Sequence, residues 1–536
     1  MSEEKKSYIV NNISLPTNAS FKEAFVIARK RLNRLGVNAG GAECSIFRRS
    51  VDARKKDNIS FVYSVLVTGE LSTLPKNAEG ISELISSEPK IEYGTERSAR
   101  PLVVGSGPAG LFAALMLAKN GYKPILIERG GRVKERQIAT ERFVRERILD
   151  TSTNIQFGAG GAGTFSDGKL VTRINDPFSS FVLRTLVEYG APEEILFLAK
   201  PHIGTDVLAV VVENILNSIS SYGAEVHYNT QLLGFKTNGG SISAAITNRG
   251  EIECGSVILA IGHSARDTYS YLLSLGLDIA AKDFSVGMRI EHPQSLIDEA
   301  LYGKYAGSDL LGHAEYALAH NTHERGVYTF CMCPGGIVVP AASEEGGVVV
   351  NGMSYHARNG ENANSAVLST VFKEDYGATP QLAIEFQRNI ERRAFCAAGS
   401  DYSAPIITVG DFLRGECKNE PTVVKPTYMS GGVKVKDPST YLPAFVTDAI
   451  RGALPSFDRK IQGFAVSEAV LTGPETRSSA PIRIIRDTLT RATALYDNLY
   501  PTGEGAGYAG GITSASIDGI RSAMALMKRY KPIMHG

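Results

Sequence analysis

The first 75 residues combine one helical hydrophobic pattern with two strand patterns. Apolar residues recur at helical spacing from Ser20 to Gly36, and Ser20 with Glu23 forms a capping box at the start. The stretches CSIFRRSVDARKK and NISFVYSVLV then alternate apolar and polar residues, which predicts strands. Residues 1–75 are therefore predicted to form a small α+β domain, followed by a polar linker at residues 76–98.

A glycine-rich turn follows the first strongly apolar strand after this linker. The strand RPLVV ends in GSGPAG, residues 105–110, and LFAALMLAKNG continues as a helix. In such a unit the first glycine permits the tight turn, the second lets backbone approach a pyrophosphate, and the third lets helix pack on strand. The next strand, KPILIERG, ends in Glu128, 18 residues after Gly110, where a ribose-binding acid is expected. We predict a dinucleotide site whose ribose carries no 2′-phosphate.

Two later segments also lead from a strand into glycine. Residues 223–262 predict a strand meander that closes on an apolar strand and Gly262, and residues 500–520 predict a strand end, a glycine-rich turn and a helix. Between them, IVVPAASEEGGVVVNGMS predicts strands, whereas SAVLSTVF and QLAIEFQRNIERRAF predict helices. The chain is expected to return to the dinucleotide-binding domain near Phe464.

Composition narrows the class of protein. Hydrophobic residues make up 43% and charged residues 21% of the 536 positions, which is typical of globular proteins. The net charge of +1 argues against a polybasic nucleic-acid coat, and the 54 glycines indicate many tight turns. Six cysteines in so long a chain do not indicate a disulfide framework. Without a signal peptide or a long apolar run, a cytoplasmic protein with no membrane partner is expected.

Eight motifs make most of the chain after residue 100 similar to a known family. The sequence resembles the bacterial FAD-dependent dehydrogenases, a branch of the glutathione-reductase-like superfamily of two-dinucleotide-fold flavoproteins. The motifs are GSGPAGLFAA (105–114), FGAGGAGTFSDGKL (157–170), ILAIGHSARDT (258–268), FSVGMRIEHPQ (284–294), FCMCPGG (330–336), NGMS (351–354), GPETRSSAPIRI (473–484) and YPTGEGAGYAGGI (500–512).

The resemblance implies an α/β fold with FAD as cofactor. We expect a Rossmann-like FAD-binding domain at residues 99–274 and 456–536, an inserted α/β substrate domain at 275–455, and the small N-terminal α+β domain. The resemblance also implies that Gly503 and Glu504 bind the ribitol, and that the helix after them points its positive end at the flavin. The predicted cofactor-binding residues are Gly105, Gly107, Pro108, Ala109, Gly110, Glu128, Arg129, Gly160, Gly161, Ala162, Gly163, Ser166, Lys169, Leu232, Ala260, Gly262, Gly503, Glu504, Gly510, Gly511 and Ile512.

The segment FGAGGAGTFSDGKL has chemistry of its own. Its small residues from Gly158 to Gly163 let backbone N–H groups close around an anion or a ring edge, and Ser166 and Lys169 add polar groups. In related flavoproteins the corresponding segment folds over the cofactor. The alternative is an ordinary glycine-rich surface loop.

The expected activity is that of an FAD-dependent oxidoreductase or dehydrogenase. A hydride would pass between the flavin and either a small organic substrate or NAD(P)H. No second GxGxxG occurs between residues 275 and 455, so a nicotinamide cofactor, if one is used, docks transiently. The sequence favours no oligomeric state.

Four side chains are candidates for redox or proton chemistry. Cys331 and Cys333 offer two thiols for a redox disulfide or a nucleophile, although residues two apart in an extended strand bridge poorly. His263 and His292 are suited to move a proton at neutral pH, and the alternative for each is a hydrogen-bonded structural role. No metal site is predicted, because HExxH and paired CxxC spacings are absent.

Three arginines are candidates for binding an anionic substrate. Arg289, Arg358 and Arg477 each carry the forked guanidinium that suits a carboxylate or phosphate. The alternative is that they form ordinary surface ion pairs.

The basic N-terminal region leaves a second functional class open. Residues 1–60 hold twelve Lys and Arg against six Asp and Glu, and Phe61 and Tyr63 share one face of a predicted strand. An RNA-associated flavoprotein would use such a surface, with FAD structural or used in RNA modification. The glycine–aromatic signature of RNA-recognition strands is absent, so a solvated face and no nucleic-acid partner are expected.

Overall fold

A computed structural model of the chain describes residues 5–84, 88–172, 176–321, 324–429 and 432–533. In the first half of the chain the strands are β1 (Lys6–Pro16), β2 (Glu43–Asp52), β3 (Ser60–Gly69), β4 (Ile81–Glu83), β5 (Pro101–Val104), β6 (Ile125–Ile127), β7 (Glu225–His227), β8 (Leu232–Asn238), β9 (Ser241–Thr247), β10 (Gly250–Glu253) and β11 (Ser256–Leu259). In the second half they are β12 (Ile279–Ala281), β13 (Phe284–Pro293), β14 (Ala319–Asn321), β15 (Gly326–Cys333), β16 (Ile337–Pro340), β17 (Val350–Met353), β18 (Asn362–Val371), β19 (Ala404–Thr408), β20 (Val433–Val435), β21 (Val470–Glu475), β22 (Ile482–Ile484) and β23 (Leu499–Pro501).

The helices connect and cover these strands. They are α1 (Lys22–Arg34), α2 (Pro108–Lys119), α3 (Val133–Glu146), α4 (Phe178–Glu188), α5 (Thr205–Ser221), α6 (Arg266–Ser274), α7 (Gln294–Tyr302), α8 (Lys373–Tyr376), α9 (Pro380–Ala397), α10 (Val409–Arg414), α11 (Ala444–Lys460) and α12 (Ile512–Arg529). Within the described ranges, none of them is long and apolar enough to cross a membrane.

The N-terminal unit is an antiparallel sheet with one helix. Its strand order is β2-β3-β1-β4, and α1 buries Ala24, Ala28 and Leu32 in the core that it shares with the sheet. Phe61 and Tyr63 belong to this core, with their ring centres 6.2 Å apart. Because both rings are buried, neither is presented for base stacking. This removes the aromatic part of the RNA hypothesis, whereas the excess of basic residues that motivates it stays untested.

A five-stranded parallel sheet, in the order β23-β11-β5-β6-β7, gathers segments from distant parts of the chain. The central strands β5, β6 and β11 are short and buried throughout, as expected of a parallel sheet covered on both faces. Helix α2 packs against α5 and α12 over one face. The predicted meander is present as the separate antiparallel sheet β8-β9-β10.

The larger sheet has seven strands in the order β14-β15-β18-β13-β21-β19-β20, and only the β19–β20 pair is parallel. The stretch SAVLSTVF, predicted as a helix, lies in the strand β18 except for its last residue, Phe372. This strand sits between β13 and β15 and is buried along almost its whole length. Both of its faces are therefore covered, and its sequence lacks the alternation that marks a half-exposed strand.

The boundary predicted at residue 456 also differs from the strand pairing. Strand β21, which begins at Val470, pairs with β13 of the larger sheet, and β22 pairs with β12. The chain thus rejoins the five-stranded sheet only at β23. An apolar stretch such as the one after Phe464 suits a strand of either sheet, so its pattern alone does not assign it.

Candidate functional site

Two glycine-rich turns approach each other beyond the carboxyl end of β5. Residues 105–110 join β5 to α2, and residues 158–163 lie beyond α3. A Cβ atom on Gly161, which has a φ of 63°, would lie 2.8 Å from Gly107 Cα. Glycine is therefore required where the two backbones meet.

The space between the two turns forms a cavity, called here the dinucleotide cavity, which also reaches the end of β11 and the start of α12. Most predicted cofactor-binding residues line it. These are Gly105, Gly107, Pro108, Ala109, Glu128, Arg129, Gly161, Ala162, Gly163, Leu232, Ala260, Gly262, Glu504, Gly510, Gly511 and Ile512, and they are joined by His263.

Four residues outside the predicted cofactor-binding set also line this cavity, namely Gln156, Thr230, Ser264 and Thr502. Ser264 and Thr502 lie within the motifs at residues 258–268 and 500–512, and Gln156 directly precedes the motif at residues 157–170. These motifs were the available signal for three of the four residues. Gln156 Oε1 accepts a hydrogen bond from Ser264 Oγ at 3.1 Å, which joins two sides of the wall.

Three predicted glycines lie behind the cavity wall instead of lining it. A Cβ on Gly110 would lie 1.9 Å from the Gly105 carbonyl oxygen, so α2 packs directly on the turn. The corresponding Cβ on Gly503 would lie 2.7 Å from Ala109 Cβ, and that on Gly160 would lie 2.5 Å from a methyl of Thr164. These glycines allow the close packing that shapes the cavity.

Two helices begin at the dinucleotide cavity. Pro108 and Ala109 of α2 line it, as does Ile512, the first residue of α12. The first N–H groups of a helix have no acceptor within the helix and carry partial positive charge. The cavity therefore favours negatively charged ligand groups such as phosphates.

The Glu128 carboxylate connects three segments of the wall. Its Oε2 accepts hydrogen bonds from Ser106 N at 2.9 Å and Ser106 Oγ at 2.7 Å, and its Oε1 accepts from Gly130 N and Gly158 N, both at 3.0 Å. An ionised carboxylate offers about four lone-pair sites. Glu128 thus fixes the two glycine-rich turns relative to each other while also lining the cavity.

His263 and Glu504 form a pair in the wall of the same cavity. His263 Nδ1 lies 3.5 Å from Glu504 Oε2, and the imidazole is 9% exposed. His263 Nε2 is buried and has no hydrogen-bond partner among the described residues. A buried nitrogen without a partner in a cavity wall is free to form a hydrogen bond with a ligand atom or an ordered water.

Arg129 contributes charge and an aromatic contact next to Glu128. Its Nη2 lies 2.7 Å from Asp267 Oδ2, and its guanidinium carbon lies 4.4 Å from the centre of the Phe157 ring. The side chain therefore holds the glycine-rich segment from outside.

These features fit a dinucleotide. The two turns approach so closely that a side chain at Gly161 would clash with the backbone of Gly107. Two helix N-termini supply partial positive charge, and His263 Nε2 has no hydrogen-bond partner among the described residues. Within the described ranges, no group of three or more His, Cys, Asp or Glu side chains is suited to a metal.

Ser166 and Lys169 do not line the dinucleotide cavity. Ser166 Oγ donates to Gly163 O at 2.8 Å and accepts from Gly168 N at 3.0 Å, so it closes the segment locally. Lys169 Nζ lies 3.5 Å from Glu315 Oε2. Both side chains are thus committed to anchoring the segment, in place of the predicted cofactor contacts.

The two thiols of FCMCPGG lie in different environments. A bulge follows Phe330 in β15, and Cys331 adopts a φ of 44°. Cys331 is exposed and Cys333 is buried, and both are free. Burial raises the pKa of Cys333, which disfavours the reactive thiolate. The bulge removes the extended geometry expected from the sequence, and neither thiol lines the dinucleotide cavity.

His292 lies in the core of the larger sheet, away from the dinucleotide cavity. Its Nε2 donates to the Phe464 carbonyl oxygen at 2.6 Å, and burial lowers its pKa to about 4. A neutral, fully buried imidazole does not exchange protons with a substrate at neutral pH. His292 therefore has a hydrogen-bonded structural role in place of the predicted role in proton transfer.

The three candidate arginines are each paired with a buried carboxylate. The pairs are Arg289 with Glu475 at 2.7 Å, Arg358 with Asp167, and Arg477 with Glu391 at 2.9 Å. Leaving any of these carboxylates without its partner would be costly, because a buried charge would remain uncompensated. The arginines are internal ion pairs, neither surface pairs nor free anion receptors.

The parallel sheet and its facing glycine-rich turns make this a mixed α/β protein with a cavity beyond the carboxyl ends of the sheet strands. Residues 283–478 match the model of a family described as FAD-dependent protein, C-terminal domain-like, and residues 8–68 match a domain of unknown function. The chain is 44% identical over 531 residues to a Clostridium beijerinckii protein described as uncharacterized, covering 97% of this chain and 98% of that protein. The chain belongs to the same family as this relative.

The comparison with solved structures finds proteins of low identity and low TM-score. CtdE in complex with FAD has 12% identity and a TM-score of 0.32, covering 80% of this chain and 84% of that chain. An L-amino acid deaminase from Proteus vulgaris has 11% identity and a TM-score of 0.34, covering 83% and 94%. The halogenase PltM with phloroglucinol and FAD has 13% identity and a TM-score of 0.38, covering 81% and 71%. Similarity at these scores does not bear on the reaction of this chain.

Proposed function

We propose that this chain is an FAD-dependent oxidoreductase of the glutathione-reductase-like superfamily. The observation that carries the proposal is the meeting of residues 105–110 and 158–163 beside the N-termini of α2 and α12, with an unpartnered His263 Nε2 in the wall. The match of residues 283–478 to a family of FAD-dependent proteins favours FAD among the dinucleotides.

Each wall element has a distinct task in this proposal. A bound FAD supplies two-electron redox chemistry. The N–H groups at the start of α2 bind phosphate oxygens, and those at the start of α12 stabilise negative charge. Glu504 orients His263, so that Nε2 is available as a hydrogen-bonding atom facing the ligand.

The proposed reaction is a hydride transfer between the cofactor and either a small organic substrate or transiently docked NAD(P)H, in the cytoplasm. The absence of a second GxGxxG in residues 275–455 supports transient docking. The RNA-associated alternative gains no support from the N-terminal sheet, because Phe61 and Tyr63 are buried.

Anaerobic stopped-flow mixing of the full-length protein with NADH, NADPH and a panel of reduced metabolites tests this proposal. At least one donor should bleach the flavin absorbance in a saturable reaction, and Gly107→Ala, which alters the wall facing Gly161, should change its rate. A protein that holds FAD and is reduced by dithionite, yet by no donor of the panel, contradicts the dehydrogenase assignment.

A further inference from the structure

The glycine-rich segment is a wall of a second cavity, which has a volume of about 600 Å³. Gln156 and Phe157 face the dinucleotide cavity, whereas the neighbouring Ile155 and, further along, Phe165 line the second one. The volume lies within the range of roughly 300–1,000 Å³ that is usual for small-molecule sites. The second cavity therefore has room for a ligand beside the proposed cofactor site.

Apolar side chains from three parts of the chain form much of this wall. They include Val144 of α3, Ile155 just before the glycine-rich segment and Phe165 within it, and Val339 and Met353 of the hairpin β16–β17. A ligand with an apolar body would remove this surface from water, which is favourable in proportion to the area buried.

Arg136 brings a buried charge to the second cavity. It is 1% exposed and donates to the carbonyl oxygens of Asn154 at 2.8 Å, Ile155 at 2.5 Å and Ala159 at 2.9 Å, and to the hydroxyl of Thr164. None of these acceptors is charged, and burial lowers the pKa of Arg136 to about 9. A guanidinium carries five N–H groups, so one is left without an acceptor among the described residues.

Thr140 supplies a second unmet hydrogen-bonding group. It lies four residues after Arg136 on the same face of α3, and both residues line the second cavity. The Thr140 hydroxyl is buried and has no partner in the described part of the chain. An unused N–H and an unused hydroxyl, one helical turn apart, match the two oxygens of a carboxylate.

The other charged side chains at this cavity either have a hydrogen-bond partner of their own or are exposed to solvent. Asp206 Oδ1 accepts from His356 N at 2.9 Å, and Glu141 and Arg145 are exposed on α3. The start of α5, at Thr205, also lines the cavity and adds partial positive charge. Only Arg136 combines full burial with hydrogen bonds to uncharged acceptors alone.

We propose that the second cavity binds a small apolar carboxylic acid, either aromatic or branched aliphatic. Its carboxylate accepts hydrogen bonds from Arg136 and Thr140, and its hydrocarbon part lies against Ile155, Phe165 and Val339. The inference does not depend on which dinucleotide occupies the neighbouring cavity.

Calorimetric titration of the full-length protein, as purified, tests the ligand class. Phenylacetate and isovalerate are compared with phenylacetamide and isovaleramide, which have the same shape but no charge. Because hydrogen bonds to a charged group are the stronger ones, at least one acid should bind about tenfold or more tightly than its amide. Equal affinities of acid and amide, or no saturable binding of either acid, would overturn the proposal.

A matched pair of variants on α5 locates the site. Ala209 lines the second cavity, whereas the adjacent Val210 is 56% exposed. Ala209→Trp should fill the cavity and weaken acid binding at least about tenfold, while Val210→Trp should bind as the wild type does. Thermal unfolding verifies that both fold, and Val339→Phe replaces Ala209→Trp if the latter does not. Wild-type acid binding in a folded, filled variant would place the ligand elsewhere and reject the site.

Discussion

The sequence predicts that Glu128 binds a ribose, and its carboxylate also accepts four hydrogen bonds from the protein. In Glu128→Gln an amide NH₂ must face either Ser106 N or the N–H groups of Gly130 and Gly158. At least one buried N–H then loses its acceptor, so we expect a loss of about 1–3 kcal/mol in the free energy of unfolding. Chemical denaturation measures this loss.

Ser106→Ala is the control for Glu128→Gln. It removes only the hydroxyl contact and leaves the N–H of residue 106 bonded to the carboxylate, so the expected loss is about 1 kcal/mol. If both variants lose the same amount, the backbone contacts of Glu128 do not hold the turns together.

The burial of His292 should make the free energy of unfolding depend on pH. Its pKa in the folded protein is lowered to about 4, below the ordinary value of 6.5, because the imidazole is buried. Between these two pH values the unfolded chain binds more protons than the folded protein does. The contribution of His292 to the free energy of unfolding is therefore fully present above pH ~6.5 and decreases as the pH falls. The shift corresponds to about 3 kcal/mol on reaching pH ~4.

The measurement is denaturant unfolding across this pH range for the wild type and for His292→Gln, which cannot titrate. The difference in unfolding free energy between the two proteins should change by about 3 kcal/mol over the window. A constant difference would mean that His292 is not held neutral in the core.

Helix α12 allows a test of charge at the dinucleotide cavity. Gly511 precedes the helix with a φ of −108°, and a Cβ there would meet only Ser514 Oγ, at 3.4 Å. Asp and Asn are both good residues at this position, so Gly511→Asp and Gly511→Asn should both fold. They differ in charge alone.

If the start of α12 faces the flavin, Gly511→Asp should make the flavin harder to reduce. An opposing interaction of ~1–2 kcal/mol corresponds to a two-electron potential lower by roughly 20–40 mV than in Gly511→Asn. Spectroelectrochemical titration measures this difference. Equal potentials in two variants that both retain FAD would show that the helix does not face the reducible ring.

Local signals predicted the elements around the dinucleotide cavity well. The strand β5, the turn at residues 105–110 and helix α2 follow one another without interruption, and β23 leads through the glycine-rich turn at residues 502–511 into α12. Strand β18 was not predictable in this way, because a central strand buried on both faces has no period of two. The bulge at Cys331 likewise depends on its pairing with β18, which no local pattern encodes.

The contacts that join the two large sheets could not be predicted from the sequence. Arg266 on α6 binds Glu344 and Glu391, and Arg477 after β21 binds Glu391 as well. These residues come from separate parts of the chain, and burial of Arg266 and Glu391 makes the contact an internal one. The sequence marked Arg477 only as a candidate for binding an anionic substrate, and it marked Arg266, Glu344 and Glu391 only as charged residues. Their pairing depends on the tertiary fold that brings the segments together.

The central claim concerns the whole molecule, namely that the cavity between the glycine-rich turns holds FAD. Its most direct test is the absorption spectrum of the purified full-length protein, with mass spectrometry of the cofactor released on denaturation. A Cβ on Gly107 would lie 3.8 Å from Gly161 Cα, so Gly107→Val should fold while its branched methyl groups enter the cavity. We expect about one FAD per wild-type chain and little or none in Gly107→Val. A colourless wild-type protein that remains free of FAD after incubation with it and gel filtration would contradict the claim.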